Sequence, residues 1–327
     1  MNIQSPVVDH ETRGGSLTLS PPLLGKHPAP IRLKGIERLL LPQVPLAKFT
    51  SFRVGGAAEL FFAPRNLEEL RAGFYWAEIH QVPTTLLGAG TNLLVSDRGL
   101  PGLVICTRYL RFLQFDAEAG QVIAAAGEPI ARLAWYAAER GWSGLEWAAG
   151  IPGTVGGAVV MNAGAHQRCA ADVFMDAQVL ANDNTLQILR QADLGFAYRT
   201  SSLQATSRLI TQASFQLEPG HEPQQVLAET RRYLKHRHTT QPYHLPSCGS
   251  VFRNPASHAA GWLIEQTGLK GHQIGGAQVA QRHANFILNL GGATATDIFN
   301  LIQHVQEQVE RQWSLLLHPE VKMLGEF

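Results

Sequence analysis

The stretch from Trp147 to Ala165, WAAGIPGTVGGAVVMNAGA, constrains this chain more than any other. It holds Gly150, Gly153, Gly156, Gly157 and Gly164, carries almost no charge, and fills the intervals with small or branched side chains. Its apolar residues do not keep a 3.6-residue period, which speaks against an amphipathic helix. Glycines spaced this closely let a backbone turn sharply and bring its N–H groups against something that comes very near. The plainer alternative is a glycine-rich surface loop of an ordinary α/β enzyme. A second glycine turn upstream, Gly88-Ala89-Gly90-Thr91-Asn92-Leu93, raises the functional odds. Two close-approach loops in one chain suggest a large phosphate-bearing ligand gripped from two sides.

At 327 residues the chain is long enough for two or three domains. Its 27 basic and 26 acidic side chains leave a net charge of +1, which excludes a nucleic-acid footprint spread over the whole surface. Cys106, Cys169 and Cys248 stand far apart with no C-x-x-C, so neither a disulfide framework nor a zinc site is expected. The scattered histidines show no metal-ligand spacing, and no metal is expected. No apolar run has bilayer length and the first fifteen residues lack a signal pattern; the expectation is a cytoplasmic protein with no membrane contact.

Residues 1–43, rich in Pro, Ser and Gly, read as a partly disordered extension, with order beginning near Pro45. A short strand over 58–63 precedes a helix that Asn66 caps and Glu69 completes as a capping box. Strands follow at 84–87, 93–96, 103–106, 111–115 and 121–126, then a helix over 129–140 ending at Gly141. Beyond the glycine stretch come strands at 173–180, 186–189 and 209–217, with a turn at 182–184. After Pro219-Gly220 the chain is more helical and more basic. A short helix over 261–267 ends at Gly268, and a final helix keeps Ile298, Leu301, Ile302, Val305, Val309 and Trp313 on one face. A strand over 321–324 closes the chain.

Several residues could carry chemistry, and each has a plainer reading. The first glycine turn follows a strand but lacks the third glycine and the ribose-binding acid of a dinucleotide fingerprint, so it reads as a non-Rossmann phosphate nest or a simple turn. Arg199 could clamp a carboxylate or lie on the surface. Ser250 offers a hydroxyl in a tight turn but not in G-x-S-x-G. Glu320, taken alone, is a solvated carboxylate, and His283 and Asn285 flank a strand. The basic run 231–238 is either a solvated helix face or a diphosphate clamp.

Taken in order, six motifs resemble the UDP-N-acetylenolpyruvoylglucosamine reductase family. They are Gly88-Ala-Gly-Thr-Asn-Leu, Gly150-Ile-Pro-Gly-Thr-Val-Gly-Gly-Ala, Asn162-Ala-Gly-Ala, Tyr198-Arg-x-Ser, Gly249-Ser-Val-Phe-Arg-Asn-Pro and Pro319-Glu-Val. The similarity runs from about Phe49 to the C-terminus and looks like the shorter type II branch. It implies an α+β chain with a two-lobed, non-Rossmann FAD-binding domain of the PCMH/VAO type (lobes 44–107 and 108–218) and an α+β substrate-binding domain over 219–327. The implied activity is NADPH-driven reduction of UDP-N-acetyl-3-O-(1-carboxyvinyl)-glucosamine to UDP-N-acetylmuramate, in peptidoglycan precursor synthesis, by a monomer with no nucleic-acid partner.

The resemblance also assigns residues. Ser250 matches the general acid, Arg199 the catalytic arginine and Glu320 the catalytic carboxylate. Gly88, Ala89, Gly90, Thr91, Asn92 and Leu93, with Gly150, Ile151, Gly153, Thr154, Gly156 and Gly157, fall at flavin-binding positions. Asn254, Arg237, His283, Asn285 and Lys322 fall at or near substrate positions. One departure stands out: His166-Gln167-Arg168-Cys169 replaces the Tyr-Gly-Gly-Glu of many relatives. Two other functions compete. A related FAD oxidase could tether flavin through His166 or Cys169, and a nucleotide- or RNA-binding module could use the 231–238 patch.

Overall fold

The computed structural model describes residues 29–181, 183–206 and 208–327. Its first lobe is a five-stranded sheet, ordered β1-β2-β3-β6-β4, made of β1 (Ile31–Arg32), β2 (Leu39–Pro45), β3 (Ala57–Phe62), β4 (Thr84–Leu87) and β6 (Leu100–Cys106). The pairs β3–β6 and β4–β6 are parallel, and β3 and β6 are mostly buried, the usual condition of parallel strands. Helix α1 (Leu67–Ile79) covers them. Gly73 is required on its inner face, because an added Cβ would lie 2.7 Å from the Phe62 ring. Asn66 caps α1 through the Glu69 N–H at 2.8 Å, but Glu69 reaches back to the N–H of Arg65 rather than closing the expected box. Order also begins earlier than expected. β1 and most of β2 lie inside the span read as an extension, where the alternation of Leu39–Pro45 was masked by its two prolines; residues 1–28 lie outside the described residues.

The second lobe is an antiparallel sheet, β12-β11-β13-β8-β7, formed by β7 (Leu113–Asp116), β8 (Gln121–Ala125), β11 (Phe174–Leu180), β12 (Leu186–Arg190) and β13 (Leu209–Gln216). Helix α2 (Ile130–Glu139) buries Ile130, Leu133, Ala134 and Ala137 in the same core as Trp147, Phe174 and Phe215. Against expectation, the glycine stretch holds a helix, α3 (Val155–Val160). Thr154 caps it by accepting the Gly157 N–H at 3.3 Å, while Val155 and Val159, four residues apart, are fully buried. Gly156 is there because its Cβ would sit 3.0 Å from that of Ala126. Downstream, β9 (Gly164–Ala165) and β10 (Arg168–Cys169) form a two-residue hairpin with His166 and Gln167 both left-handed, at φ 53° and 64°.

In the third part, α4 (Pro223–Thr240) packs on α2 of the second lobe. Beyond it, α5 (Ala260–Gln266), the small sheet β14 (Gln273–Ile274), β15 (Ala277–Val279) and β16 (Ile287–Asn289), and α6 (Ala295–Trp313) share one core. The expected face of α6 is buried in full from Ile298 to Val309, and α5 ends at Gly268 as its sequence indicates. That core also takes Phe52, Val54 and Leu94 from the first lobe. The final strand β17 (Lys322–Leu324) pairs in parallel with β5 (Leu93–Val95), and Asp97 accepts the Ala295 and Thr296 N–H groups at the start of α6 at 2.8 and 2.9 Å. First and third parts are therefore stitched together beside the Gly88–Leu93 turn.

Candidate active site

A cleft of about 900 Å³ opens where the three parts meet, and both glycine turns line it. β4 delivers the first turn and α3 follows the second, and they touch directly: the Thr91 hydroxyl donates to the Pro152 carbonyl at 3.2 Å. Gly90 is left-handed at φ 67°, with its α-carbon packed so closely on the Phe49 carbonyl that a Cβ would lie 2.0 Å from the oxygen. Among the described residues no acceptor takes the N–H groups of residues 88–92. Arg108 donates to the Ala89 carbonyl at 2.9 Å, which ties the turn to the segment after β6. Backbone donors gathered on glycine turns of this kind suit a diphosphate.

The three expected catalytic residues meet in the same cleft although they come from three distant segments. Arg199 lies in a tight turn, not at the end of a strand, where Ala197 and Thr200 exchange both backbone bonds at 3.1 Å and Arg199 takes φ 56°. Its Nη2 donates to the Gly164 carbonyl at 2.8 Å, and its Nε stands 3.2 Å from Glu320 Oε1, an ion-pair distance at which the N–H is not aligned on the oxygen. Burial raises the Glu320 pKa, against the opposing pull of Arg199 and then Arg253. The Arg253 Nε is buried and has no hydrogen-bond partner among the described residues. Burial, with Glu320 adding to it, also pushes the Cys248 thiol up, which keeps it neutral.

Ser250 precedes a segment that is clamped to Glu320. Glu320 N–H donates to the Val251 carbonyl at 2.7 Å, and Arg253 N–H to the His318 carbonyl at 2.9 Å. Asn92 of the first glycine turn donates from Nδ2 to the Glu320 carbonyl at 3.1 Å, and its own carbonyl accepts the Lys322 N–H at 3.0 Å. The Asn92 side chain thus ties the Glu320 backbone, and its own backbone lies in the first glycine turn.

Of the five expected substrate residues, Arg237 and Lys322 line the cleft; Asn254, His283 and Asn285 do not. Asn254 accepts the Ala260 N–H at 3.0 Å and starts α5. Asn285 is 3% exposed and braces Phe252 from both sides, accepting its N–H at 2.9 Å and donating to its carbonyl at 2.8 Å. His283 accepts the Asn285 N–H and is pushed toward neutrality by burial. An Asn285→Ala protein is expected to lose about 2–4 kcal/mol of stability, because two buried Phe252 groups go unpaired, and a denaturant melt would read that loss.

In the basic run, Arg231, Arg232, Lys235, His236 and His238 are exposed on α4, and Arg232 pairs with Glu229. Arg237 alone in the run reaches the cleft, lying across Gly150, where a Cβ would stand 2.7 Å from its Cδ, and donating to the Tyr243 hydroxyl at 3.0 Å. The departing His166 stacks on Tyr233 at 4.3 Å, and Cys169 bonds Asp172; neither lines the cleft, so neither is placed to tether a cofactor there. Sequence reasoning missed Ser51, Arg53, Gln204 and Tyr243, all of which line the cleft. It also missed Asn162, buried and left-handed at φ 43°, which ties the Ala197 carbonyl at 3.0 Å. Its place in Asn162-Ala-Gly-Ala was the available signal.

Comparison with known proteins agrees with this arrangement. Residues 58–190 match the model of an FAD binding domain, and residues 241–324 match the UDP-N-acetylenolpyruvoylglucosamine reductase C-terminal domain. The chain is 61% identical over 297 residues to the UDP-N-acetylenolpyruvoylglucosamine reductase of a Nostoc species, covering 91% of this chain and 90% of the relative. It is 55% identical to that of a Synechocystis species, covering 91% and 94%. The crystal structure of the Thermus caldophilus reductase superposes with a TM-score of 0.75 at 34% identity, covering 86% of this chain and 98% of that one.

Proposed function

The chain belongs to the UDP-N-acetylenolpyruvoylglucosamine reductase family, and on that premise we propose that its cleft reduces the enolpyruvyl ether of UDP-N-acetylglucosamine to the lactyl ether of UDP-N-acetylmuramate, with FAD bound and NADPH as reductant. The observation that carries the reading is the convergence of Arg199, Glu320 and Ser250 on the cleft that both glycine turns line. The residues present fit a flavin dinucleotide. The Gly88–Asn92 backbone offers donors for its diphosphate, and Gly153, Thr154 and Ile151 form the opposite wall. Held there, a flavin would supply hydride-transfer chemistry, being reduced by NADPH and reoxidised by the substrate.

The protein's own residues then have two tasks, holding charge and giving a proton. Hydride arrives at the terminal enolpyruvyl carbon and a proton at the adjacent one, so C=CH₂ becomes CH–CH₃ and NADPH leaves as NADP⁺. Between the two transfers negative charge spreads toward the substrate carboxylate. Gly164 and Glu320 hold the Arg199 guanidinium, and a cation preorganised toward that carboxylate needs no rearrangement when the charge develops. Ser250 donates the proton to the carbon that carried the charge, and its alkoxide is promptly reprotonated, because a serine hydroxyl is a weak acid. Arg237 and Lys322, which line the cleft, meet the uridine diphosphate.

A purified sample is expected to show a flavin spectrum, to bleach on adding NADPH without oxygen, and to regain its colour when the enolpyruvyl substrate follows. Recolouring by oxygen at the same rate, with no response to that substrate, would overturn this reading in favour of an oxidase.

A further inference from the structure

Arg199 stands in a conformation that a residue with a side chain does not hold unaided. Its φ of 56° is left-handed, and it sits with Tyr198 at the centre of the two-residue turn closed by Ala197 and Thr200. Such a backbone persists only where the surroundings over-determine it. The Arg199 side chain is held by Gly164 and Glu320, but its backbone needs a separate hold. The side chain that bonds the Arg199 peptide itself is Gln204, whose Nε2 donates to the Arg199 carbonyl at 3.0 Å and to the Val160 carbonyl, at the end of α3, at 3.2 Å.

We propose that Gln204 is a positioning residue for Arg199: it pins the strained peptide to the end of α3 and so fixes the guanidinium relative to the glycine turns. Both of its partners are carbonyl oxygens, so only the NH₂ end of the amide can serve, and the orientation of the side chain is set. Two neighbours support the same turn. Ser201 donates from its hydroxyl to Val160 O at 2.7 Å, and Asn162 donates to Ala197 O at 3.0 Å. Asn162 is buried at 6% exposure, and its loss disturbs the lobe. Gln204 is half-buried, lines the cleft and leaves a core that closes without it. Its removal therefore acts on the turn more than on the fold. The inference rests on the role given to Arg199 in the reading above.

A double-mutant cycle separates positioning from general support, because a residue that acts only through Arg199 has nothing left to do once Arg199 is gone. The readouts are flavin content, melting temperature, the rate of flavin reduction by NADPH, and the rate of reoxidation by the enolpyruvyl substrate. Gln204→Leu is expected to slow reoxidation by about ten- to a hundredfold, the scale of a misplaced catalytic group, and to leave the other three unchanged. In an Arg199→Ala background the same substitution is expected to change reoxidation by less than about twofold. Gln204→Glu keeps the shape but removes both donors, and is expected to match Gln204→Leu.

An equal penalty in both backgrounds overturns the proposal, as does a slowed reduction by NADPH, or a Gln204→Glu enzyme at the wild-type rate. If Gln204→Leu is silent while Arg199→Ala is slow, the positioning role fails alone. If Arg199→Ala is itself silent, the site reading fails and takes the proposal with it.

Discussion

A Ser250→Ala enzyme is expected to be yellow, to bleach with NADPH at the wild-type rate, and to stay bleached when the enolpyruvyl substrate is added. The reason is the independence of the Ser250 side chain from the segment that carries it. The backbone beyond it is fixed by Val251 N–H on the Asn285 carbonyl at 2.8 Å, by the Asn285 brace on Phe252, and by Glu320 N–H on Val251. None of these bonds uses the hydroxyl, and an alanine keeps them all. The flavin contacts proposed for the glycine turns are likewise untouched, so cofactor binding and the NADPH half-reaction should survive. What disappears is the proton for the carbon next to the carboxylate, a loss of about 10²–10⁴-fold for a positioned acid. Rapid-mixing absorbance separates the two half-reactions. Recolouring at the wild-type rate would remove Ser250 from the acid role.

The elements most legible in the sequence are those whose partners are local. The face of α6 follows from its period alone, and the ends of α2 and α5 from Gly141 and Gly268. The start of α6 was not legible, because half of its cap comes from Asp97, about two hundred residues upstream, alongside the Thr294–Asp297 box. The pairing of β17 with β5 is equally non-local, and so is the joining of the third part's core to Phe52 and Leu94. Helix α3 was hidden for another reason. Gly156 and Gly157 weaken the helical signal, and tertiary packing of Val155 and Val159 overrides that propensity.

The candidate site divides along the same line. Ser250, Arg199, Glu320 and both glycine turns lie in motifs, and all of them line one cleft. The residues that hold them in place carry no such signature. Asn285 resembles a ligand contact in sequence and is a buried brace in space, because a side-chain amide satisfies a backbone N–H and C=O as readily as it meets a sugar. Gln204 has no pattern around it, and its importance follows from the φ of Arg199, which no residue type announces.

The sharpest consequence for the cofactor concerns Gly90. A Gly90→Ala protein is expected to purify with little or no flavin, even where it folds. Two effects combine. Alanine at φ 67° pays the left-handed penalty of about 1–2 kcal/mol. Its Cβ would also stand 2.0 Å from the Phe49 carbonyl oxygen and 3.0 Å from the Thr50 Cα, so either the turn or the 49–51 segment must move. That segment is tied to the turn itself, since Ser51 N–H donates to the Gly90 carbonyl at 3.0 Å. Displacing the turn scatters the N–H groups of residues 88–92. Losing two charge-assisted hydrogen bonds to a diphosphate, at about 1.5–3 kcal/mol each, weakens binding by a hundredfold or more. The movement should also pass through Asn92 to the Glu320 carbonyl and slow whatever enzyme still holds flavin. Gly35 supplies the control. It too is left-handed, at φ 76°, but nothing lies within 4 Å of its added Cβ, so Gly35→Ala carries the backbone penalty without the clash. Both proteins should lose some stability in a thermal melt, while only Gly90→Ala should lose its colour. A Gly90→Ala protein saturated with flavin would show that the turn is scaffold and not the diphosphate nest.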